Sequence, residues 1–290
     1  MESKSDIVPS QSLADRMKQF ETVYDNAVPN NHYLCIRLDG HGFSKFTKNL
    51  VKPFDINFSK AMIHSAYDCM CEFGAKTAYT QSDEITLIFD IPDLEKSQQY
   101  IFNGRIQKLL SLTASFVSTR FNHYLKKFIS VGYCNDVITK INDGFAFFDS
   151  RILSFDAASK HEIANHIIWR CIHDCHRNAI QSYAYYNFGP HRISNLNGKQ
   201  MIELLKQEKN ISWNNSSEAD VTVVPMWQKY GVFIKKELVS ITSAYGESMR
   251  SKMRALSLKP DCSTDILDFL LSTHCDKSKI GFEITPYPNE

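Results

Sequence analysis

Apolar and polar residues alternate from Tyr33 to Leu38, which predicts a strand. Leu34, Ile36 and Leu38 share one face of it, and Tyr33, Cys35, Arg37 and Asp39 share the other. The period then changes to three and four at Phe58, Met62, Ser65, Cys69 and Phe73, which predicts a helix, and Gly74 stands where such a helix ends. Lys76 to Tyr79 and Ile85 to Phe89 read as short strands around an acidic turn. Ile106, Leu109, Leu110, Thr113 and Val117 mark a second helix. Phe145 to Phe155 reads as a further strand, with Asp149 and Arg151 on the face opposite Phe148 and Ser150. This β-α-β-β-α-β order is the ferredoxin-like split motif. A long helix follows, about Lys160 to Tyr185, with Ile163, Ile167, Cys171 and Asp174 at helical spacing and Trp169 and Arg170 on another side. Gly189-Pro190 breaks it. Met201 to Gln207 reads as a short helix, 210–224 as polar loop, Trp227 to Ile241 as strand, and Thr264 to Leu271 as helix. The predicted class is α+β: a ferredoxin-like palm core over residues 1–155, with a helical and C-terminal region, 156–290, packed on it as one compact unit.

Composition narrows the class without changing it. A chain of 290 residues with 43% apolar content can bury a full core. It holds no apolar run long enough to span a bilayer, and no membrane partner is expected. Met1 to Ser12 is polar and mixed in charge, unlike a signal peptide or an Arg-rich transit peptide, so the expected location is the cytoplasm, with the mitochondrion left open. The eight cysteines are scattered, as reduced thiols are. Cys171 and Cys175 lie i, i+4 beside His176, yet there is no Cys-x₂-Cys pair of the kind structural zinc uses. A net charge of +1 argues against a non-specific nucleic-acid coat and leaves room for a basic stripe on one face.

The candidate chemistry lies in two acidic spots. The first strand ends at Asp39-Gly40, and the turn between the two short strands carries Asp83-Glu84. An acid at a strand end and an acid in a neighbouring hairpin turn form the metal-site layout of a polymerase-type palm. Two carboxylates about 4 Å apart repel by roughly 4 kcal/mol at an effective dielectric of 20. A divalent cation removes that repulsion, and hard oxygen ligands favour Mg²⁺, which usually arrives with substrate phosphates.

Around those acids the motifs Ile36-Arg37-Leu38-Asp39-Gly40, Phe43-Ser44-Lys45-Phe46-Thr47-Lys48, Lys52-Pro53-Phe54-Asp55 and Tyr79-Thr80-Gln81-Ser82-Asp83-Glu84 occur in order. With Phe102 to Lys108, Phe148-Asp149-Ser150-Arg151 and Trp169-Arg170, they resemble the tRNA(His) guanylyltransferase superfamily over residues 13 to about 185. Its members add nucleotides to the 5′ end of tRNA in the 3′-to-5′ direction. The resemblance implies a polymerase-like palm, tRNA and nucleoside triphosphates as partners, ATP and GTP among the substrates, and a homo-oligomer, dimer or tetramer. It implies two Mg²⁺ ions on Asp39, Asp83 and the Gly40 carbonyl, with Glu84 as an auxiliary catalytic acid. It also implies nucleotide or triphosphate contacts at His41, Gly42, Phe43, Ser44, Lys52, Ser82, Asn103, Arg105 and Lys108, and tRNA contacts at Arg151, His176, Arg177 and Asn178.

Departures from the family pattern sharpen the expectation. Enzymes that add the extra guanylate to tRNA(His) carry a His-Ile-Asn-Asn-like patch linked to anticodon recognition. Here the stretch is His176-Arg177-Asn178-Ala179, and Ser44 stands where those enzymes have His. The chain is thus closer to the guanylyltransferase-like branch. The expected function is template-dependent repair or editing of tRNA 5′ ends, with tRNA(His) guanylyltransferase as the alternative. A nucleotide-cyclase-like palm shares the element order but has no use for the motifs at Lys52, Arg105 and Trp169. A silent RNA-binding module has no reason to keep two mutually repelling acids.

Overall fold

The computed structural model describes residues 11–129, 133–214, 220–243, 246–260, 264–276 and 284–286. The elements begin with α1 (Leu13–Thr22), β1 (His32–Gly40), α2 (Phe43–Phe46) and α3 (Ile56–Phe73). The acidic hairpin β2 (Thr77–Gln81) and β3 (Glu84–Phe89) comes next, then α4 (Ile106–Phe128), α5 (Asn135–Asn142) and β4 (Phe148–Asp156). The long helix is α6 (His161–Ile168), a π-helical segment Trp169–Cys175, and α7 (His176–Phe188). After it run α8 (Pro190–Ile193), α9 (Gly198–Lys209), β5 (Ile211–Ser212), β6 (Thr222–Val223), α10 (Met226–Tyr230), β7 (Val232–Ser243), β8 (Gly246–Leu258), α11 (Thr264–Leu271), β9 (His274–Cys275) and β10 (Ile284–Pro286).

The central strands stand in the order β2-β3-β1-β4 with antiparallel neighbours, the order of a ferredoxin-like palm. The alternation of β1 decides which helices cover which face. Leu34, Ile36 and Leu38 pack with Met62 of α3 and Phe121 of α4 in one core. Cys35 packs on the opposite face with Ile163 and Ile167 of α6 and Leu270 of α11. A third cluster joins Ala179 and Ile180 of α7 to Met201 and Leu205 of α9. Helix ends follow local chemistry. The Asp55 carboxylate accepts from Asn57 N and Phe58 N to start α3, and Gly74, at φ 71°, ends it.

The structure departs from expectation in its small elements and in its C-terminal region. Helices α1 and α5 and the short β5–β6 pair arise where no element was predicted, because short helices and two-residue strands carry too little period to be read. The C-terminal region is also less helical than expected. β7 joins β2 at the edge of the palm, pairs with β8 along a long ribbon, and so extends the sheet.

Of the stretch from Trp227 to Ile241 read as strand, the first residues belong to α10 and the rest form β7, whose buried face carries Lys235. Its ammonium is fully buried and donates to Thr77 Oγ1 at 2.7 Å and to Ser272 O at 2.5 Å, over the Phe269 ring at 5.3 Å. It also reaches Leu270 O at 3.5 Å, so it serves carbonyls at the C-terminal end of α11. Burial pushes its pKa down to about 7, with the neighbouring Lys76 adding to the effect and Cys275 opposing it. An unfolded lysine titrates near 10.4. Between about pH 7 and pH 10 the unfolded chain therefore holds the extra proton, and stability rises with pH. Denaturant unfolding at pH 7 and pH 9 should show a higher midpoint at pH 9, and Lys235→Met should flatten that difference.

Candidate active site

At the end of β1 the chain reaches the turn between β2 and β3. Ser82 takes a left-handed conformation there, φ 48°, and Gly40 N donates to Asp83 O at 3.0 Å. That bond holds the two acidic spots together. Gly40 is required by space, since a Cβ there would sit 2.5 Å from the Phe43 ring. Phe43 is itself pinned among Phe46, Phe58, Phe121 and Phe148 at ring separations of 5.0 to 6.0 Å.

Strand register lines up three acids on one face. Asp39 stands opposite Glu84 on β3 and opposite Asp149 on β4. Glu84 is 3% exposed, and Arg170 grips it with two hydrogen bonds: Nε to Oε1 at 2.7 Å and Nη2 to Oε2. Arg37 Nε lies 3.7 Å from the same carboxylate, and Arg170 Nη2 also meets Asp174 at 3.0 Å. Arg151 lies 4.0 Å from Asp39 and 3.3 Å from Asp149. Burial raises the Glu84 pKa, opposed by Arg170 and Arg37 and reinforced by Asp39. Burial also raises that of Asp83, against the hydrogen bonds it accepts, and Asp39 again adds to the rise. Asp83 makes no ion pair among the described residues. The two neighbours thus diverge: Glu84 turns under the long helix into an arginine grip, while Asp83 faces open space.

That space is a cavity of about 320 Å³ lined by Ser44, Lys52, Ser82, Asp83, Asn178 and Tyr186, among others. The Lys52 ammonium sits 5.5 Å over the Tyr186 ring, with its pKa lowered by burial against the pull of Asp55. A lysine, an amide and a hydroxyl converging on a carboxylate suit a phosphate chain and its cation.

The residues singled out in the sequence fall into three groups. Asp39, Gly40, His41, Gly42, Ser44, Lys52, Ser82, Asp83, Glu84 and Arg151 gather at the sheet end or around the cavity. Phe43 is there too, but its side chain lies in the core, so only its backbone faces outward. Asn103, Arg105 and Lys108 lie at the other end of the sheet, because β3 carries the chain away from the turn before α4 begins. Tyr100 there donates to His32 O at the start of β1, and Arg105 pairs with Asp25 at 3.7 Å. From His32 to Asp39 is about 24 Å of strand. On α7, Asn178 lines the cavity and Arg177 is exposed and paired with Asp174 at 2.9 Å. The His176 ring is engaged internally, accepting from Trp213 Nε1 at 2.8 Å and stacking on Tyr230. Ala179 is buried in the third core cluster.

Arg170 and Asp149 belong to the site and had been given no role in it. Both stand in motifs noted in the sequence. The π-helical segment that aims Arg170 at Glu84 has no period to betray it. Cys171 and Cys175 are buried; Cys171 donates to Tyr230 O at 3.0 Å.

A palm sheet that ends in paired acids beside a lysine-bearing cavity defines a nucleotidyltransferase. A family model described as Thg1, tRNA(His) guanylyltransferase, matches residues 14–156. A solved bacterial tRNA(His) guanylyltransferase (Thg1)-like protein in complex with ATP superposes with a TM-score of 0.66 at 31% identity, covering 82% of this chain and 92% of that one. The chain belongs to the tRNA(His) guanylyltransferase family. A solved bacterial tRNA(His) guanylyltransferase (Thg1)-like protein in complex with GTP gives a TM-score of 0.64 at 29% identity, over 84% of this chain and 91% of that one. An uncharacterized protein of Acanthamoeba polyphaga mimivirus is 43% identical over 288 residues, 96% of each chain. The tRNA(His) guanylyltransferase of Debaryomyces hansenii is 28% identical over 222 residues, 72% of this chain and 77% of its own. No helix among the described residues is long and apolar enough to cross a membrane.

Removing Arg170 strands a buried carboxylate. Arg170→Met should cost about 3 kcal/mol of stability, and adding Glu84→Gln should restore much of it. A double-mutant cycle by denaturant unfolding measures the coupling; additive losses would show that the pair contributes nothing.

Proposed function

We propose that the protein adds nucleotides to the 5′ end of tRNA in the 3′-to-5′ direction, with the 3′ half of the acceptor stem as template, and so repairs or edits incomplete 5′ ends. The observation that carries this is the bond from Gly40 to Asp83, which sets Asp39 beside Asp83 where Asp83 lines a phosphate-suited cavity. The donor set fits Mg²⁺: the ligands are oxygens, and Asp83 makes no ion pair among the described residues while burial raises its pKa. Asp39, Asp83 and the Gly40 carbonyl would hold two ions, which when bound neutralise the charge of the reacting phosphates.

The chain's own residues supply the positioning. Lys52, Ser82 and Asn178 bind the triphosphate in the cavity; the similar bacterial protein has been solved with ATP and with GTP. Arg170 holds Glu84 and with it the acidic turn. The tRNA 5′ phosphate first attacks the α-phosphorus of ATP and expels pyrophosphate, leaving an adenylylated end; the 3′-hydroxyl of the incoming nucleotide then attacks the tRNA 5′ phosphorus, loses its proton, and AMP departs. Catalysis of this kind rests on orientation and electrostatics. Arg105 and Lys108, far from the cavity within one chain, are assigned to tRNA phosphates or to an assembly. The protein is a homo-oligomer in this account. In support, α1 buries none of its residues and leaves Leu13, Met17 and Phe20 exposed at helical spacing. The described cysteines are free, in keeping with the cytoplasm. Residues 1–155 form the catalytic core, and 156–290 supply Arg170 and the cavity wall.

Template dependence is favoured over tRNA(His) maturation by the state of the anticodon-linked stretch: His176 is engaged internally and Ala179 is buried. Asp39→Ala or Asp83→Ala should each lower turnover at least about a hundredfold with tRNA binding kept. Wild-type rates in both variants would refute the metal assignment. On a 5′-truncated tRNA the enzyme should extend until the stem is paired, and changing the opposing base from C to A should change the added nucleotide from G to U. Addition of one unpaired guanylate to tRNA(His) alone would establish the guanylyltransferase alternative.

A further inference from the structure

The ladder between β1 and β4 continues one step past its last strand pair. His41 N donates to Phe147 O at 2.9 Å, beyond the pair Gly40–Phe148. The two rings stack at 4.9 Å between centroids and 18° between planes. Phe147 is 53% exposed and Phe145 67% exposed, whereas Ala146 between them is buried. Strand alternation puts His41 and Phe147 on the face that carries Asp39 and Asp149, about 7 Å further along. Phe145 and Phe147 together with the His41 ring make a contiguous exposed patch, the kind that marks an interaction surface.

We propose that the stacked His41–Phe147 pair, with Phe145 beside it, is a platform for the terminal base pair of the tRNA acceptor stem. This rests on the 5′-addition function argued above. That chemistry sets the reacting 5′ phosphate at Asp39 and Asp83, and the base attached to it lies one ribose away. The end of an RNA helix presents a flat, unstacked base-pair face, which an aromatic ring accepts whatever the base. A hydrogen-bonding pocket would instead impose one base, against addition chosen by the opposing strand. Arg151, 56% exposed and 4.0 Å from Asp39, offers charge to the phosphate on the same face. The cavity, with Lys52, Ser82 and Asn178, lies beyond the acidic turn and suits the incoming nucleotide, so the two ligands have separate seats.

The test uses tRNA with 2-aminopurine as its first nucleotide, opposite uridine. Binding to the wild-type enzyme should quench its fluorescence. Phe147→Ala and Phe147→Leu should lose most of the quenching and raise KM for tRNA about tenfold. KM for GTP should stay within about twofold, and Phe147→Tyr should restore both readouts. The Leu and Tyr variants keep the comparison valid if the Ala variant folds poorly. Unchanged quenching and KM in the Leu variant would overturn the platform. So would a rise in KM for GTP without one for tRNA, which would give the ring to the incoming base. Wild-type addition to tRNA is measured first: its failure would overturn the functional proposal and the platform together, whereas normal wild-type addition with an indifferent Phe147→Leu overturns the platform alone.

Discussion

The backbone bond from Gly40 N to Asp83 O, 3.0 Å long, closes the end of β1 onto the β2–β3 turn, and the geometry of the site depends on it. One such bond contributes only about 1 kcal/mol to stability. Its weight lies in position. It can form because residue 40 has no Cβ, which would meet the Phe43 ring at 2.5 Å. Phe43 cannot yield easily, since four other aromatic rings enclose it. The packing of the palm core is therefore transmitted, through one ring and one glycine, to the spacing of two carboxylates.

Electrostatics then divides the labour among the acids. Arg170 and Arg37 neutralise Glu84, and Arg151 shares itself between Asp39 and Asp149. Asp83 has no such partner among the described residues and opens onto the cavity. The grip on Glu84 comes from the long helix, so the C-terminal half of the chain holds the acidic turn in place. Arg170 and Asp174, one in each turn of the π-helical segment, meet each other as well as Glu84 and Arg177, which stiffens the helix where it crosses the site.

Much of this was legible in the residues. The alternation of Tyr33 to Leu38 placed Asp39 and Arg37 on one face, and that face is where Glu84 and Asp149 stand. The spacing from Phe58 to Phe73, ended by Gly74, marked α3 to within two residues at its start. What stayed hidden has physical causes. A π-helical stretch shifts the register of Trp169 to Cys175, so Arg170 could not be aimed from a 3.6-residue period. The split between Asp83 and Glu84 depends on where a turn stops and a strand starts, which composition does not encode. Arg105 and Lys108 lay in a matching motif, yet the path of β3 carries them to the far end of the sheet.

The proposed divalent-cation site joins Asp39 and Asp83 through the Gly40 bond. Electron paramagnetic resonance of Mn²⁺, titrated into the nucleotide-loaded protein, measures this without turnover. A two-ion site should bind about two ions per protomer, fewer in both Asp39→Asn and Asp83→Asn, and an unchanged number in Phe147→Leu. Equal occupancy in wild type and in the Asp39→Asn/Asp83→Asn double variant would contradict it.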